Sequence, residues 1–410
     1  MGDEVDDRRG PLRAVPHRVP CSRAAQRCPD SRHEMVPSGP GVPGARMRNR
    51  FHALCPYFAM FPEGFAEKWI DELTDPGDLV AEPFCGRGTT PFQALLMGRN
   101  ALAGDINPVA YCLTVAKTQG PALSTVRLRI SELECAYEAR RWRPRTRSLP
   151  EFFDRAYDPR TLSQLLYLRE VLRWSTRRSD AMIAALTLGA LHGESEKSPS
   201  YLSAQMPRTI STKPAYSVRF WDRHGHVPPK RDVFELLQRQ ARFRYASPLP
   251  ALRGRVELTD FRDLHRLKSV GRREARCIIT SPPYLDVTSF EEDQWLRLWF
   301  LGGPPHPTRN RVSRDDRHEL ASAYWRMVAD FWRTAGYLVA SRGHVVVRMA
   351  GKGLSADGVV EGLTGCAVVA GRNVSLVDWE TSTIPRRQTD AFRPGSVGVR
   401  FEVDAVFELA

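Results

Sequence analysis

Residues 78–107 read DLVAEPFCGRGTTPFQALLMGRNALAGDIN, and the pattern changes character three times along them. DLVAEPF follows the breaker Asp75-Pro76-Gly77 and has the short, apolar texture of a buried strand. CGRGTTPFQALLMGR is a glycine-rich turn running into a helix, and NALAGDIN is a second short strand ending in Asp105. Strand, turn, helix and strand make one unit of a doubly wound α/β sheet. Gly86 and Gly88 let the backbone pass close to a ligand, and the helix start behind them offers unpaired N–H groups to an anion.

Asp105 sharpens that reading, because a carboxylate at a strand end can accept hydrogen bonds from both ribose hydroxyls of a nucleoside. Pro91 stands where the third glycine of G-x-G-x-x-G would fall, which disfavours a dinucleotide. A tight turn followed by a helix-capping Asp stays open on these residues alone.

Upstream, FPEGFAEKWIDEL (61–73) has Phe65, Trp69, Ile70 and Leu73 at helical spacing. Downstream, RVELTDF, CIITSPPY, GHVVVRMA, SLVDWETSTI and RFEVDAVFEL bring the strand-like runs to seven. Between the halves, residues 118–250 form a largely helical insertion, with apolar periodicity around TLSQLLYLREVLRW and AMIAALTLGALHG and a dense run of Arg140, Arg141, Arg143, Arg145 and Arg147. Residues 1–46 are rich in Pro, Gly, Arg and Ser without any period and are expected to be a disordered tail. Met35 and Met47 leave open a downstream natural start. The expected organisation is therefore a tail (1–46), a ligand-binding half (47–117), the insertion (118–250) and a catalytic half (251–410).

The second motif is Thr280-Ser281-Pro282-Pro283-Tyr284, directly after the apolar run Cys277-Ile278-Ile279. Consecutive prolines forbid continuation of the ladder and hold an extended turn, so the Ser281 hydroxyl and Pro282 carbonyl can be fixed toward a pocket. Acceptors so placed suit an exocyclic amino nitrogen, a poor nucleophile whose lone pair is delocalised into its ring. Gripping its hydrogens favours the tetrahedral nitrogen that attacks an electrophilic methyl. Tyr284 offers a ring to stack on a flipped base.

With both motifs in place the chain resembles the amino-methyltransferase family of DNA-modifying enzymes. Glu82 to Gly88 is similar to the family's DPFxGxG cofactor loop, and Ser281 to Tyr284 to its [DNS]PP[YFW] signature. The resemblance spans roughly 51–117 and 251–410. It implies a seven-stranded Rossmann-like α/β sheet, S-adenosylmethionine as methyl donor and double-stranded DNA as partner, with room for a cognate restriction nuclease. Carried over residue by residue, the cofactor site is Pro62, Phe65, Glu82, Phe84, Gly86, Gly88, Thr89, Asp105, Asn107, Asp260 and Phe261, and the catalytic set is Ser281, Pro282, Pro283 and Tyr284. FPEGF departs from the family's commoner HxxxKP form at that helix. The motif order, cofactor loop before catalytic tetrapeptide, implies target recognition in the insertion. Serine in the tetrapeptide resembles the cytosine-N4 members; adenine-N6 transfer, an RNA acceptor, or an inactive nucleic-acid-binding protein are the alternatives.

Composition agrees. A net charge of +13 suits a polyanionic partner, because Lys and Arg neutralise phosphates and release counterions. In the insertion Tyr201, Arg208, Lys213, Tyr216, Arg219 and Trp221 mix aromatic and cationic groups as nucleic-acid surfaces do. No apolar run approaches the ~18 residues of a membrane span and no secretory h-region opens the chain, so a cytosolic location is expected. The eight cysteines are scattered without a metal-ligand spacing and are expected as free buried thiols; no metal and no catalytic thiol is assigned. Trp295 and Trp299 are expected in a core, Ser289 and Glu292 have capping-box spacing, and His192 reads as a satisfied polar group.

Overall fold

Alternate residues of the central strands bury into opposite layers, which puts helices on both faces of one sheet. The computed structural model describes residues 48–57, 61–194, 201–206, 213–285, 289–309, 311–312, 321–351, 353–383 and 401–410. Its strands are β1 (Leu79–Glu82), β2 (Asn100–Asp105), β3 (Arg255–Leu258), β4 (Ala275–Thr280), β5 (Val339–Met349), β6 (Val374–Thr383) and β7 (Phe401–Leu409). They lie in the order β3-β2-β1-β4-β5-β7-β6. β1 to β5 run parallel, and β7 runs antiparallel to both β5 and β6. Each strand falls on a run the sequence marks, and the expected seven-stranded α/β sheet is present. The expected disorder of 1–46 lies outside the described residues.

On one face Val80, Ala101, Cys277, Ile279 and Val346 meet α1 (Glu63–Leu73) through Phe65, Ala66, Trp69 and Ile70, and α2 (Thr89–Leu96) through Ala94 and Leu95. Val115 of α3 (Pro108–Thr118) covers Ala103 and Val256 beside them. Between β2 and β3 the chain forms α4 (Leu123–Cys135), α5 (Ala139–Trp142), α6 (Glu151–Ala156), α7 (Pro159–Val171), α8 (Arg178–Ala190), α9 (Pro214–Arg223) and α10 (Val233–Arg244). Then come α11 (Phe261–Leu264), α12 (Phe290–Asp293), α13 (Trp295–Phe300), α14 (Ala321–Leu338) and α15 (Ala356–Ala367). The other sheet face, through Ile278, Val345, Val347 and Phe407, packs on α11, α14 and α15. This one-residue alternation of apolar faces is what makes the strands read as continuous hydrophobic runs.

The helices of the insertion share a core with segments outside it. Phe51 and Leu54 before α1, and Trp295, Trp299 and Phe300 of α13, belong to the same buried cluster as α4, α6, α7, α8 and α10. Phe153 lies 4.5 Å from Trp299, ring centre to ring centre. Burial of a large apolar side chain stabilises by ~1.5–3 kcal/mol, so α13 ties the segment after the Ser281–Tyr284 loop to the insertion. The expected capping box is not formed: Ser289 makes no side-chain cap bond, and Glu292 turns to Arg309 at 2.7 Å. Among the described residues no helix is long and apolar enough to cross a membrane.

Strand order reverses between β1 and β4: the chain leaves β1 toward β2 and β3, and leaves β4 toward β5. Ligands of open parallel sheets bind in the crevice outside the carboxyl ends of the strands at such a point. The loop after β1 is Pro83–Gly88 and the loop after β4 begins at Ser281. Both sequence motifs therefore open on one crevice.

Candidate active site

The glycine loop is fixed by its own backbone and by one carboxylate. Gly88, the N-cap of α2, is left-handed at φ 72°, and a β-carbon there would stand 2.6 Å from the Thr114 hydroxyl oxygen, so only glycine fits. Asp105 at the end of β2 accepts the Gly86 N–H at 2.8 Å on one oxygen and the Asn107 N–H at 2.9 Å on the other. Desolvation pushes its carboxyl up to about 6, opposed by those amide bonds. Lys117, buried, donates to the Arg87 carbonyl and pins the loop from behind. Desolvation, aided by the charge of Arg87, holds its amine well below the ordinary range.

Glu82 closes β1 and is buried, with its carboxyl well above the usual range through desolvation. Its Oε2 is buried without a hydrogen-bond partner. An unmet buried acceptor beside a glycine loop fits a ligand carrying an ammonium group.

The remaining expected cofactor residues divide. Phe84 and Phe261 come together, ring centres 4.6 Å apart, from the loop after β1 and the start of α11. Thr89 opens α2 and is buried, its hydroxyl oxygen accepting from Arg87 Nε at 3.2 Å. Asn107 caps α3, accepting the Val109 N–H at 3.0 Å and donating to Tyr57 Oη at 3.1 Å. Asp260 caps α11 through the Arg262 N–H and holds the Arg262 guanidinium at 2.6 and 2.8 Å. Asn107 and Asp260 thus each cap a helix and also hold a neighbouring side chain. Pro62 is the N-cap of α1, and Phe65 lies on its buried face with the Arg348 guanidinium 4.0 Å from the ring centre.

β4 ends at Thr280, where the prolines take over. Ser281 and Tyr284 are half-buried, Pro282 is buried and Pro283 is exposed. The Ser281 hydroxyl donates to Tyr284 Oη at 3.2 Å, and the Tyr284 hydroxyl donates to Glu402 Oε1 at 2.8 Å. Burial and Glu402 together push the phenol well above its ordinary range. Arg348 lies 3.5 Å from Glu402 Oε2 and grips Asp404 with two bonds of 2.6 Å. Glu402, Arg348 and Asp404 were missed by sequence reasoning. The available signal was one arginine inside HVVVRM and two acids inside FEVDAVF, runs otherwise mostly apolar, with Arg348 directly opposite Asp404 across β5 and β7.

The insertion residues also divide. Lys213, Tyr216 and Arg219 are exposed along α9. Tyr201 is half-buried against Gly193, and Arg208 lies outside the described residues. Trp221 is corrected: it is fully buried, its indole N–H donates to the Gln205 carbonyl at 3.1 Å, and it packs on Phe152, so it cannot meet a nucleic acid. Arg140, Arg141, Arg143, Arg145 and Arg147 are exposed, and none of them forms an ion pair among the described residues.

The six described cysteines form no disulfide among the described residues; Cys55, Cys85, Cys112 and Cys277 are buried as expected, whereas Cys135 is exposed and Cys366 half-buried. Burial pushes the Cys85 thiol well up, away from nucleophilic use. His192 meets Ser203 at 2.9 Å and is pushed down to about 3 by burial, which keeps it neutral. No group of three or more candidate metal ligands occurs among the described residues.

Residues 39–116 match a protein-family model described as DNA methylase, of the N6/N4 type. A stretch of 68 residues is 32% identical to the type II methyltransferase M.MjaII of Methanocaldococcus jannaschii. That stretch is 17% of this chain and 13% of that protein's length. Among solved structures the chain is similar to TrmN from Thermus thermophilus, at 12% identity and TM-score 0.35 over 88% of this chain and 53% of that one. It is also similar to M. jannaschii TYW2, crystallised with AdoMet, at 10% identity and TM-score 0.31 over 86% and 80%.

Proposed function

We propose that this chain, whose residues 39–116 match the DNA methylase family model, methylates the exocyclic amino nitrogen of a base in double-stranded DNA, cytosine N4 foremost, with S-adenosylmethionine as donor. The observation that carries this reading is the convergence of the glycine loop after β1 and the Ser281–Tyr284 loop after β4 on one strand-order reversal.

The residues present fit such a donor. The unpartnered Glu82 Oε2 would receive its ammonium group, Asp105 its ribose hydroxyls, and the Phe84–Phe261 pair the adenine. When bound, such a donor would supply an electrophilic sulfonium methyl to the base nitrogen and leave as the neutral thioether, the nitrogen's proton passing to water. The protein's part is orientation. Ser281 Oγ and the Pro282 carbonyl take the amino hydrogens, drawing the lone pair out of the ring toward the methyl, and the Tyr284 ring supports the base. Exposed cations of the insertion, on α9 and in the arginine turn 140–147, hold the DNA backbone.

The test is transfer of labelled methyl to duplex DNA, to tRNA and to no acceptor, with product nucleosides identified by mass spectrometry. N4-methylcytosine in DNA is expected. N6-methyladenine as sole product overturns the choice of base, and transfer to tRNA alone overturns DNA. Wild-type rates in Ser281→Ala overturn the catalytic assignment.

A further inference from the structure

We propose that Glu402, steadied by Arg348, sets the direction of the hydrogen-bond chain through Tyr284 to Ser281 and so makes Ser281 an obligate acceptor toward the amino group. This rests on the amino-methyltransferase reading above. A serine hydroxyl is ambivalent: it carries one proton and two lone pairs, and rotates to suit its neighbour. Left free, it can donate to the amino nitrogen and occupy the lone pair that must attack. In this site that freedom is removed from the far end of the chain.

The Glu402 carboxylate only accepts, and Tyr284 has one proton, which goes to Glu402 Oε1 at 2.8 Å. Tyr284 Oη can then only accept, and it accepts the Ser281 proton at 3.2 Å. What Ser281 has left to present is lone pairs. The two oxygens of Glu402 are divided, Oε1 to Tyr284 and Oε2 toward Arg348 at 3.5 Å. Asp404 takes the guanidinium edge in two 2.6 Å bonds, and Phe65 covers its face at 4.0 Å. Arg348 is therefore held in one plane, and one positive charge between two carboxylates leaves Glu402 electron-rich toward the phenol. Phe65 acquires a role here through Arg348. Glu402 and Arg348 are positioning residues, acting through Tyr284.

The experiment compares single-turnover methyl transfer and cofactor affinity in wild type, Glu402→Gln, Glu402→Asp, Tyr284→Phe and Tyr284→Phe/Glu402→Gln. Glutamine can donate to the phenol and allow the chain to reverse, so Glu402→Gln is expected to slow transfer ~10-fold or more, as removal of one oriented dipole does, with cofactor affinity within about twofold. Glu402→Asp keeps an acceptor-only end and is expected to retain more activity than Glu402→Gln. In the Tyr284→Phe background Glu402→Gln is expected to add nothing, since the middle of the chain is gone. Equal losses from Glu402→Gln in both backgrounds, or Glu402→Asp slower than Glu402→Gln, overturn the proposal.

A spectroscopic arm separates it from the function. With tyrosine labelled at the phenol carbon, the Tyr284 resonance is expected to move in Glu402→Gln; an unmoved resonance overturns the relay. A wild-type protein that methylates no nucleic acid, yet shows that movement, overturns the function and leaves the chain's direction supported.

Discussion

At the scale of single residues the site is governed by where carboxylates find their donors. Asp105 serves two amides with two separate oxygens, which a carboxamide cannot do, since one of its ends would set N–H against N–H. Its carboxyl titrates at about 6 in the fold, raised by desolvation. Because the folded value lies above the unfolded one, Asp105's contribution to stability is full at low pH and is lost as pH rises through about 6. Donor hydroxyls need the ionised form, so cofactor affinity should rise over that window, and calorimetry between pH 5 and 8 checks it. A flat profile would remove Asp105 from the ribose. Asp105→Ala should weaken binding by ~1.5–3 kcal/mol, the scale of charge-assisted hydrogen bonds, with part of that loss coming from the unsettled Gly86 amide. Gly88 and Asp105 were legible because their chemistry is local. Glu402 was not, because its link to Tyr284 joins residues 118 positions apart.

At the scale of elements, legibility followed burial. The central strands β1 and β4 are buried on both faces and read as apolar runs, whereas the antiparallel edge strand β6 is exposed along most of its length and was marked instead by its β-branched and aromatic residues. In α9 the mixture of aromatic and basic residues hid a division by face: Ser217 and Trp221, four apart, point inward, while Tyr216, Arg219 and Arg223 point out. That spacing was present in the sequence, and composition alone obscured it. Trp221→Ala should therefore destabilise the fold by ~3–5 kcal/mol, the cost of a large-to-small core change, as measured by denaturant unfolding. Arg219→Ala should instead leave the unfolding midpoint within error and weaken DNA binding. A surface-like result at Trp221, with unchanged stability, would contradict its packing. Ser289 and Glu292 teach the converse, for correct spacing yielded no capping box once Arg309 offered Glu292 a charged partner.

At the scale of the whole molecule, the shared core of the insertion and α13 could not be read from the chain, since it joins residues near 51, 153 and 299. It places the Ser281–Tyr284 loop and the exposed cations of the insertion on one body, so under the proposed function DNA held by the insertion would be presented to Ser281 by a single packed unit. The overall charge of +13 is a weak guide to which cations would meet DNA under the proposed function, because many arginines are spent on carboxylates, as Arg262 is on Asp260 and Arg309 on Glu292. The turn 140–147 differs. Its five arginines have no acidic partner among the described residues, and Arg141 and Arg145 lean on the Trp142 ring at 5.5 and 4.9 Å. Arg143 and Arg147 stand clear of that ring and are exposed, so their removal should not disturb the core. Each phosphate contact contributes ~0.9 to the slope of log affinity against log salt on duplex DNA. Arg143→Ala/Arg147→Ala should then flatten that slope by ~2, lower affinity most at low salt, and leave the single-turnover rate at saturating DNA unchanged. Fluorescence anisotropy with a labelled duplex across a salt series measures the slope directly. An unchanged slope would show that DNA approaches the molecule over another face, and would shift the recognition surface to α9 and its exposed Lys213, Tyr216 and Arg219.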